Sequence, residues 1–399
     1  MRLPLLSWNT VLGAAALLFA AGCPAGNIGP GPDATPVTWE NIAGDNGDER
    51  GRSIIELADG GSLAAGFTSS QGNQLLSGYL VRYSRTGGTV WSAAYSVGGY
   101  VDEFYDAVEL NDGTIVAVGL SESSPLTTSS ASIVWVDAAG VLFDSLLFEG
   151  PGSDFFSSIA QLSDGTLVAA GTSRSVDLGN GDVYVVRFTA DGQILWERNV
   201  GGTGADAASD VVEDTDGNIV VVGRSESFAN QPAAYAVKLD RGGNLIWQRV
   251  RAAGFMSNAP LRYEGAAALS GGRVAAVGSI ADSGLLVLYD RNGQTIASRT
   301  NFTGSNDEFA AAVAATRDGG LALALTASNM NGTEDDIVIA RLDADTNLLW
   351  TRSYDPGQFD LAQDIAASFD GGFLVTGGAD LASEQVYTVK VNSEGVVVP

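Results

Sequence analysis

Acidic residues recur along this chain at a spacing that can bring their carboxylates into one ring. Carboxylate oxygens are the ligands that hard cations prefer, and a ring of them also attracts a basic peptide. The same side chains can instead accept N–H groups of their own glycine-rich loops, and their repetition favours that structural role. We expect no metal site. The candidate acidic ring consists of Asp48, Asp102, Asp154, Asp206, Asp307 and Asp360.

A second kind of chemistry would need two carboxylates at one site, as in glycoside hydrolysis. The chain has no histidine, and Cys23 is its one cysteine, so His-based catalysis, thiol catalysis and zinc–thiolate sites are excluded. Candidate carboxylate pairs recur as the repeats do, whereas an active site is usually singular. We therefore expect no catalytic residues, and a carbohydrate-active enzyme is the alternative. The pairs are Asp102 with Asp106, Asp206 with Asp210, and Asp360 with Asp364.

The N-terminal residues have the pattern of an export signal. Arg2 precedes the apolar run VLGAAALLFAA at residues 11–21, which is too short to cross a bilayer as a helix. The run leads into Phe19-Ala20-Ala21-Gly22-Cys23, which resembles the lipobox of bacterial lipoproteins. That resemblance implies a signal peptide at residues 1–22 and a lipid anchor on Cys23. Residues 23–36 are rich in Pro and Gly and are typical of a flexible tether.

The net charge limits the possible partners. There are 47 Asp and Glu residues against 21 Lys and Arg residues, which gives −26 at pH 7. Such a surface repels nucleic acid, so no nucleic-acid partner is expected. The membrane contact we expect is the lipid anchor itself.

Residues 37–399 consist of a repeat about 52 residues long, seen first in its turns. An Asp-Gly or Gly-Gly pair between apolar runs is typical of a β-hairpin turn. The first residues of these pairs are Asp59, Asp112, Asp164, Asp216, Gly271, Asp318 and Asp370. An aromatic position follows with the same spacing, at Trp39, Trp91, Phe143, Trp196, Trp247 and Trp350, with Ala297 in the fifth copy.

Four short strands per copy predict an all-β fold, a seven-bladed β-propeller of four-stranded antiparallel blades. Because the aromatic series starts at Trp39, before any complete copy, the strand at residues 37–42 is expected to complete the last blade and close the ring. Residues 396–398 compete for that place. The strand pattern and Trp spacing resemble the tryptophan-docking repeat of quinoprotein-like propellers and the repeats of bacterial surface lipoproteins. We find no match to quinoprotein cofactor-binding residues and expect no cofactor.

The longer connections of a blade lie on one face, and we place binding there. The fifth copy loses framework residues and has an enlarged loop at residues 252–265. Exposed aromatic and arginine residues are typical of contact patches, although degeneration of one repeat explains this copy equally well. The candidate binding residues are Phe255, Met256, Arg262 and Tyr263.

Together these patterns predict a non-catalytic lipoprotein that is exported and anchored in the bacterial cell envelope, at the outer membrane on its periplasmic or surface side. It is expected to bind a protein or glycan ligand, or to act as a scaffold, through the long-loop face of the propeller.

Overall fold

The computed structural model describes residues 36–70, 75–124, 128–175, 180–229, 231–252, 261–305, 307–328 and 334–398. Their 28 strands form seven separate four-stranded antiparallel sheets. The first strands of consecutive blades contact each other around the ring, so they surround a central channel. The seven-bladed β-propeller predicted from the repeat is confirmed.

Six blades are continuous in sequence. Blade one contains β2 (Glu49–Glu56), β3 (Ser62–Thr68), β4 (Ser77–Tyr83) and β5 (Thr89–Tyr95); blade two contains β6 (Val101–Glu109), β7 (Ile115–Glu122), β8 (Ser130–Val136) and β9 (Leu142–Phe148). Blade three contains β10 (Asp154–Gln161), β11 (Leu167–Ser173), β12 (Asp182–Phe188) and β13 (Ile194–Val200); blade four contains β14 (Asp206–Glu213), β15 (Ile219–Ser225), β16 (Ala233–Leu239) and β17 (Leu245–Arg251). Blade five contains β18 (Leu261–Leu269), β19 (Arg273–Ile280), β20 (Ser283–Tyr289) and β21 (Thr295–Thr300); blade six contains β22 (Glu308–Ala315), β23 (Leu321–Ser328), β24 (Asp335–Leu342) and β25 (Leu348–Tyr354).

Blade seven joins the two ends of the described chain. It contains β26 (Leu361–Ala367), β27 (Phe373–Asp380), β28 (Glu384–Val391) and β1 (Trp39–Ala43), and β1 pairs antiparallel with β28. The Thr38 hydroxyl donates to the Val398 carbonyl at 2.9 Å, so the two ends meet where the fourth strand begins. The predicted closure by the N-terminal strand is confirmed, and residues 396–398 flank that strand rather than replace it.

Tryptophans of the outer strands hold consecutive blades together. Trp91 Nε1 donates to the Ala138 carbonyl of the next blade at 3.1 Å, and Trp196 Nε1 donates to the Arg241 carbonyl at 2.9 Å. The turn that receives each ring needs glycine. Gly87 has a φ of +81°, and a Cβ there would stand 2.4 Å from the Trp39 ring. This is the tryptophan docking that the sequence pattern resembles.

Blade two docks a different tryptophan from the one we expected. Phe143 is 60% exposed and does not fill the aromatic position. Trp135, on the neighbouring strand, donates its Nε1 to the Ala190 carbonyl of blade three at 2.8 Å. Trp135 pairs with Asp144 in the register where Arg187 pairs with Trp196 in blade three. The aromatic residue has therefore exchanged strands within blade two.

A basic residue on the third strand pairs with the acidic residue of its own hairpin turn in several blades. Lys390 lies 2.8 Å from Glu56 and 3.3 Å from Asp370, and all three side chains are buried. Blade five has Leu288 and Gly271 at the two positions, so it lacks both partners. The other ion pairs of this kind join Arg82 to Asp59, Arg187 to Asp164, Lys238 to Asp214 and Arg341 to Asp318.

Candidate binding site at the mouth of the central channel

The predicted acidic ring is one residue out of register in two blades. Six blades have a buried acidic residue at the start of the inner strand, and in blades one and six it comes one residue after the exposed Asp48 and Asp307. In blade five Leu261 occupies the position. The residues that occupy it elsewhere are Glu49, Asp102, Asp154, Asp206, Glu308 and Asp360, each with at most 4% of its surface exposed.

These six buried carboxylates bind their own loops. Asp102 accepts the N–H of Val97 at 3.0 Å and that of Gly98 at 3.2 Å. Glu308 accepts the N–H of Phe302 at 2.7 Å in the same way. Because they are buried beneath the long loops, they present no carboxylate ring to a ligand. Among the described residues, no three acidic, histidine or cysteine side chains are placed to hold a metal ion.

A second set of carboxylates lies deeper, on the wall of the channel. Asp106, Asp210 and Asp364 stand just after a β-bulge in their inner strands and keep some surface toward the channel. Each accepts the backbone N–H of the following blade. Ile159 N–H donates to Asp106 at 2.9 Å, and Ile54 N–H donates to Asp364 at 2.8 Å. These carboxylates therefore connect blades. One member of each candidate catalytic pair thus lies beneath its loop and the other on the channel wall.

One serine, Ser158, lies between two of the channel carboxylates and contacts both. Ser158 Oγ lies 3.0 Å from Asp106 Oδ2 and 2.8 Å from Asp210 Oδ1, yet a hydroxyl has one proton to donate. Burial, together with the charge of Asp106, raises the pKa of Asp210 to about 6. Burial and the charges of Asp106 and Asp210 raise the pKa of Asp364 to about 7. Both contacts are satisfied when one of the two carboxyl groups is protonated and donates to Ser158 Oγ while the hydroxyl donates to the other.

These raised pKa values predict a pH dependence of stability. An unfolded Asp titrates near pH 4, so the folded protein holds the extra protons between about pH 4 and pH 7. The stabilisation is complete below pH 4 and is lost as the pH rises through the pKa values of Asp210 and Asp364. Replacing Asp106 by serine, which blades one and three carry at this position, removes a like charge and should lower both pKa values. We expect the fall in unfolding free energy between pH 5 and 7.5 to shrink by about 1 kcal/mol.

Urea denaturation over that pH range measures the effect. Asp307→Ser removes an exposed carboxylate and is the matched control, which should keep the wild-type pH dependence. If Asp106→Ser also keeps it, the channel carboxyl groups do not titrate as a coupled set.

The residue that follows the buried acidic position, or Leu261 in blade five, lies at the long-loop end of each inner strand. All seven of these residues are half-buried or exposed. We call them the mouth ring. Three of them are aromatic or long aliphatic and two are arginines, so the ring combines apolar area with directional polar groups. The mouth ring consists of Arg50, Glu103, Phe155, Ala207, Arg262, Phe309 and Leu361.

Stacked side chains extend the mouth ring across blades one to three. The Arg52 guanidinium lies 5.2 Å from the Phe67 ring centre and 4.5 Å from that of Tyr105. Tyr105 lies 6.0 Å from Phe155 in blade three. Arg52 also pairs with Glu103 at 2.7 Å, which fixes its plane between the rings. The result is a preorganised row of aromatic and arginine side chains along one side of the mouth.

The candidate residues from blade five divide between the surface and the core. Arg262 is exposed, belongs to the mouth ring, pairs with Glu264 and lies 5.4 Å from the Phe309 ring. Tyr263 is fully buried, with its hydroxyl 2.8 Å from that of Tyr289, so it cannot contact a partner and is corrected to a core residue. Phe255 and Met256 lie outside the described residues, as does Cys23.

Repeat alignment contained a signal for the mouth ring. Tyr263 aligns with Phe104 and Phe156, which are both buried, because all three precede the inner-strand bulge by the same step. Neighbouring residues alternate between the two sides of a strand. Alignment on the buried acidic position would therefore have assigned Phe155 and Phe309 to the mouth.

Fold and channel define this protein as a seven-bladed propeller of tryptophan-docking repeats. The chain belongs to the family described as outer membrane protein assembly factor BamB, whose sequence profile matches residues 37–260. The family and the fold fit a binding or scaffolding propeller. No curated protein matches the chain in sequence.

Solved structures of other propellers share the architecture at low identity. The WD40 domain of Neurospora crassa Pan2 is 11% identical, with a TM-score of 0.53 over 86% of this chain and 89% of that one. A protein from Lactobacillus plantarum is 15% identical, with a TM-score of 0.53 over 86% and 97%. An α-L-arabinofuranosidase from Fusarium graminearum is 12% identical, with a TM-score of 0.52 over 76% and 97%. At these identities the similarity concerns the fold alone.

Proposed function

We propose that this protein is a non-catalytic scaffold of the bacterial cell envelope that binds a protein partner through the mouth ring. The observation that carries the proposal is the row formed by Arg52, Tyr105 and Phe155, held in place before any partner arrives. Aromatic and arginine residues dominate protein interfaces because they desolvate a large area and keep a directional polar tip. The name of the family, an assembly factor, agrees with a role in protein–protein contact.

The geometry favours a protein over a small substrate. The carboxylates near the mouth are engaged by loop N–H groups, and the channel carboxylates by N–H groups of adjacent blades. A hydrolase would need two carboxylates that both face one bond of the substrate. The mouth ring instead offers a broad surface with paired charges.

Photo-crosslinking tests this assignment. A benzophenone amino acid in place of Phe155 or Phe309 should form an adduct with one envelope protein. The same group at Asn111, which is exposed on the opposite short-turn face, should form none with that protein. Adducts from Asn111 alone would place the binding surface on the short-turn face and contradict the proposal.

We further propose that the protein is held in the envelope by a lipid on Cys23. The support is its position after Phe19-Ala20-Ala21-Gly22 and the family's name, which refers to outer membrane protein assembly. In the described part of the chain, no helix is long and apolar enough to cross a membrane.

Mass spectrometry of the mature N-terminus should show an acylated cysteine, and Cys23→Ser should release the protein in soluble form. An unmodified mature N-terminus at another residue would contradict the anchor. This test is independent of the mouth ring.

A further inference from the structure

The outer strand of each blade is a sheet edge. In three blades an arginine on this strand donates to a backbone carbonyl of the same strand, and we call this arginine the guard. Arg198 donates to the carbonyl of the preceding residue, Glu197, at 2.8 Å, and its guanidinium lies 5.7 Å from the ring of Trp196. The same bond recurs in blade four at Arg249 and in blade six at Arg352, at 2.7 and 3.0 Å. A charged side chain that occupies an edge carbonyl prevents another strand from pairing there.

Blade two lacks this guard. The pairing of Trp135 with Asp144 sets Leu146 at the position that Arg198 holds in blade three. The carbonyl of Ser145, equivalent to that of Glu197, therefore has no arginine beside it. The exchange of the docking tryptophan onto β8 accounts for the difference, because Arg198 stacks on a tryptophan that β9 does not contain.

The unguarded edge is also the most apolar one. Phe143 in β9 is 60% exposed, and Val141 just before the strand is 57% exposed. Leu146, Leu147 and Phe148 are half-buried along β9. Asp144 is the one charged residue in β9.

Other blades without the guard differ from blade two. Ala93 takes the position of the arginine in blade one and Asn41 takes it in blade seven. Their outer strands β5 and β1 contain three and two large apolar residues, against five in β9. In blade five Arg299 reaches instead to the carbonyl of Thr346 in the next blade. β9 therefore combines an open backbone edge with exposed apolar side chains.

We propose that β9 is a docking edge for an extended segment of a partner protein in which apolar residues alternate with basic ones. An added strand gains main-chain hydrogen bonds from the edge, and its alternate side chains pack on the apolar face. Charge selects the basic partner, because Asp144 lies within the edge, Asp137 and Glu149 flank it, and the whole chain carries −26. Two copies of this chain repel each other through the same charge. The proposal concerns a different surface from the mouth ring and does not rest on it.

A synthetic peptide tests the edge. The probe is an end-capped, fluorescein-labelled ten-residue peptide of alternating valine and lysine, followed by fluorescence anisotropy near physiological salt. Its N-methylated analogue has the same charge and side chains but lacks alternate N–H donors. We expect the unmodified peptide to bind the full chain at least about tenfold more tightly than the analogue.

Two substitutions locate the binding. Leu146→Arg introduces the guard found in blades three, four and six, and should weaken binding at least about tenfold. Leu349→Arg adds the same charge to β25, which already contains Arg352, and should change affinity less than about twofold. Arg198→Leu removes the guard from β13 and should create a second, weaker site.

Several results would overturn the proposal. Equal binding of both peptides, or equal weakening by Leu146→Arg and Leu349→Arg, would reduce the effect to charge alone. A wild-type dimer in sedimentation that Leu146→Arg dissociates would make a second copy the occupant. If Leu146→Arg fails to fold, as judged by its melting curve, Arg198→Leu becomes the deciding test. The absence of a second site in that variant would show that the arginine does not block strand pairing, and the argument for β9 would be wrong.

Discussion

Deleting residues 37–42 is expected to lower the free energy of unfolding by about 3 kcal/mol or more. Trp39 is 7% exposed, lies 5.3 Å from the Tyr83 ring and sits under the Gly87 turn of blade one. The deletion removes this buried ring and leaves β28 as an open edge, so aggregation should increase as well. Chemical denaturation and light scattering on heating measure the two effects.

Single substitutions on β1 give the matched control. Trp39→Ala should account for most of the loss, whereas Ile42→Ala should cost little because Ile42 is 47% exposed on the same strand. Unchanged stability on deletion would mean that residues 396–398 take the fourth-strand place when β1 is absent.

Replacing Lys390 by methionine is expected to cost about 3–5 kcal/mol. Its ammonium group lies between Glu56 and Asp370, and removing it leaves two buried carboxylates without a counter-charge. Although burial raises the pKa of Asp370, the Ser368 hydroxyl and the charge of Lys390 hold it below its usual value. A lowered pKa contributes stability above about pH 4 that is lost at lower pH. The cost of the substitution should therefore be greatest at neutral pH and smaller near pH 3.

The ion pair of blade one serves as the control for Lys390. The Asp59 side chain is 58% exposed, so Arg82→Met should cost less than about 1 kcal/mol. Urea denaturation of both variants at pH 7 and pH 3 gives the comparison. Equal costs for the two variants at pH 7 would contradict the burial argument.

The architecture could be predicted because the same turn and aromatic positions recur in seven copies of the repeat. Asp-Gly turns and tryptophans about 52 residues apart fix the number of blades, and Trp39 at the start of the series implied the closing strand. Each of these signals is local, since a tight turn or a docked ring imposes a residue type at one position.

Side-chain direction was harder to predict, because one residue of shift changes the face of a strand. The recurrence of aspartate predicts Asp48 and Asp307 as members of the acidic ring, but the buried acidic residues are Glu49 and Glu308, one position later in the chain. Spacing alone also placed Phe143 in the aromatic position of blade two. The partner that replaces it, Trp135, lies across the strand pair, and that register is a property of the folded sheet.

The mouth ring and the β9 edge both arise from departures between repeats. A position that nearly all blades fill alike serves the framework, as the buried acidic residues of six blades do beneath their loops. Where the blades differ at a position, the framework does not require one residue type there, and the side chain can serve binding. Phe155 and Phe309 stand where blade four has Ala207, and Leu146 stands where blade three has Arg198.

The affinity of the crosslinked envelope partner for the double variant Phe155→Ala and Phe309→Ala tests the central claim most directly. Ala207 occupies the same position in blade four, so the fold tolerates alanine there. We expect binding to weaken by about 2 kcal/mol or more, while Asn111→Ala on the short-turn face leaves it unchanged. Full affinity in the double variant, or a loss in Asn111→Ala alone, would contradict binding through the mouth ring.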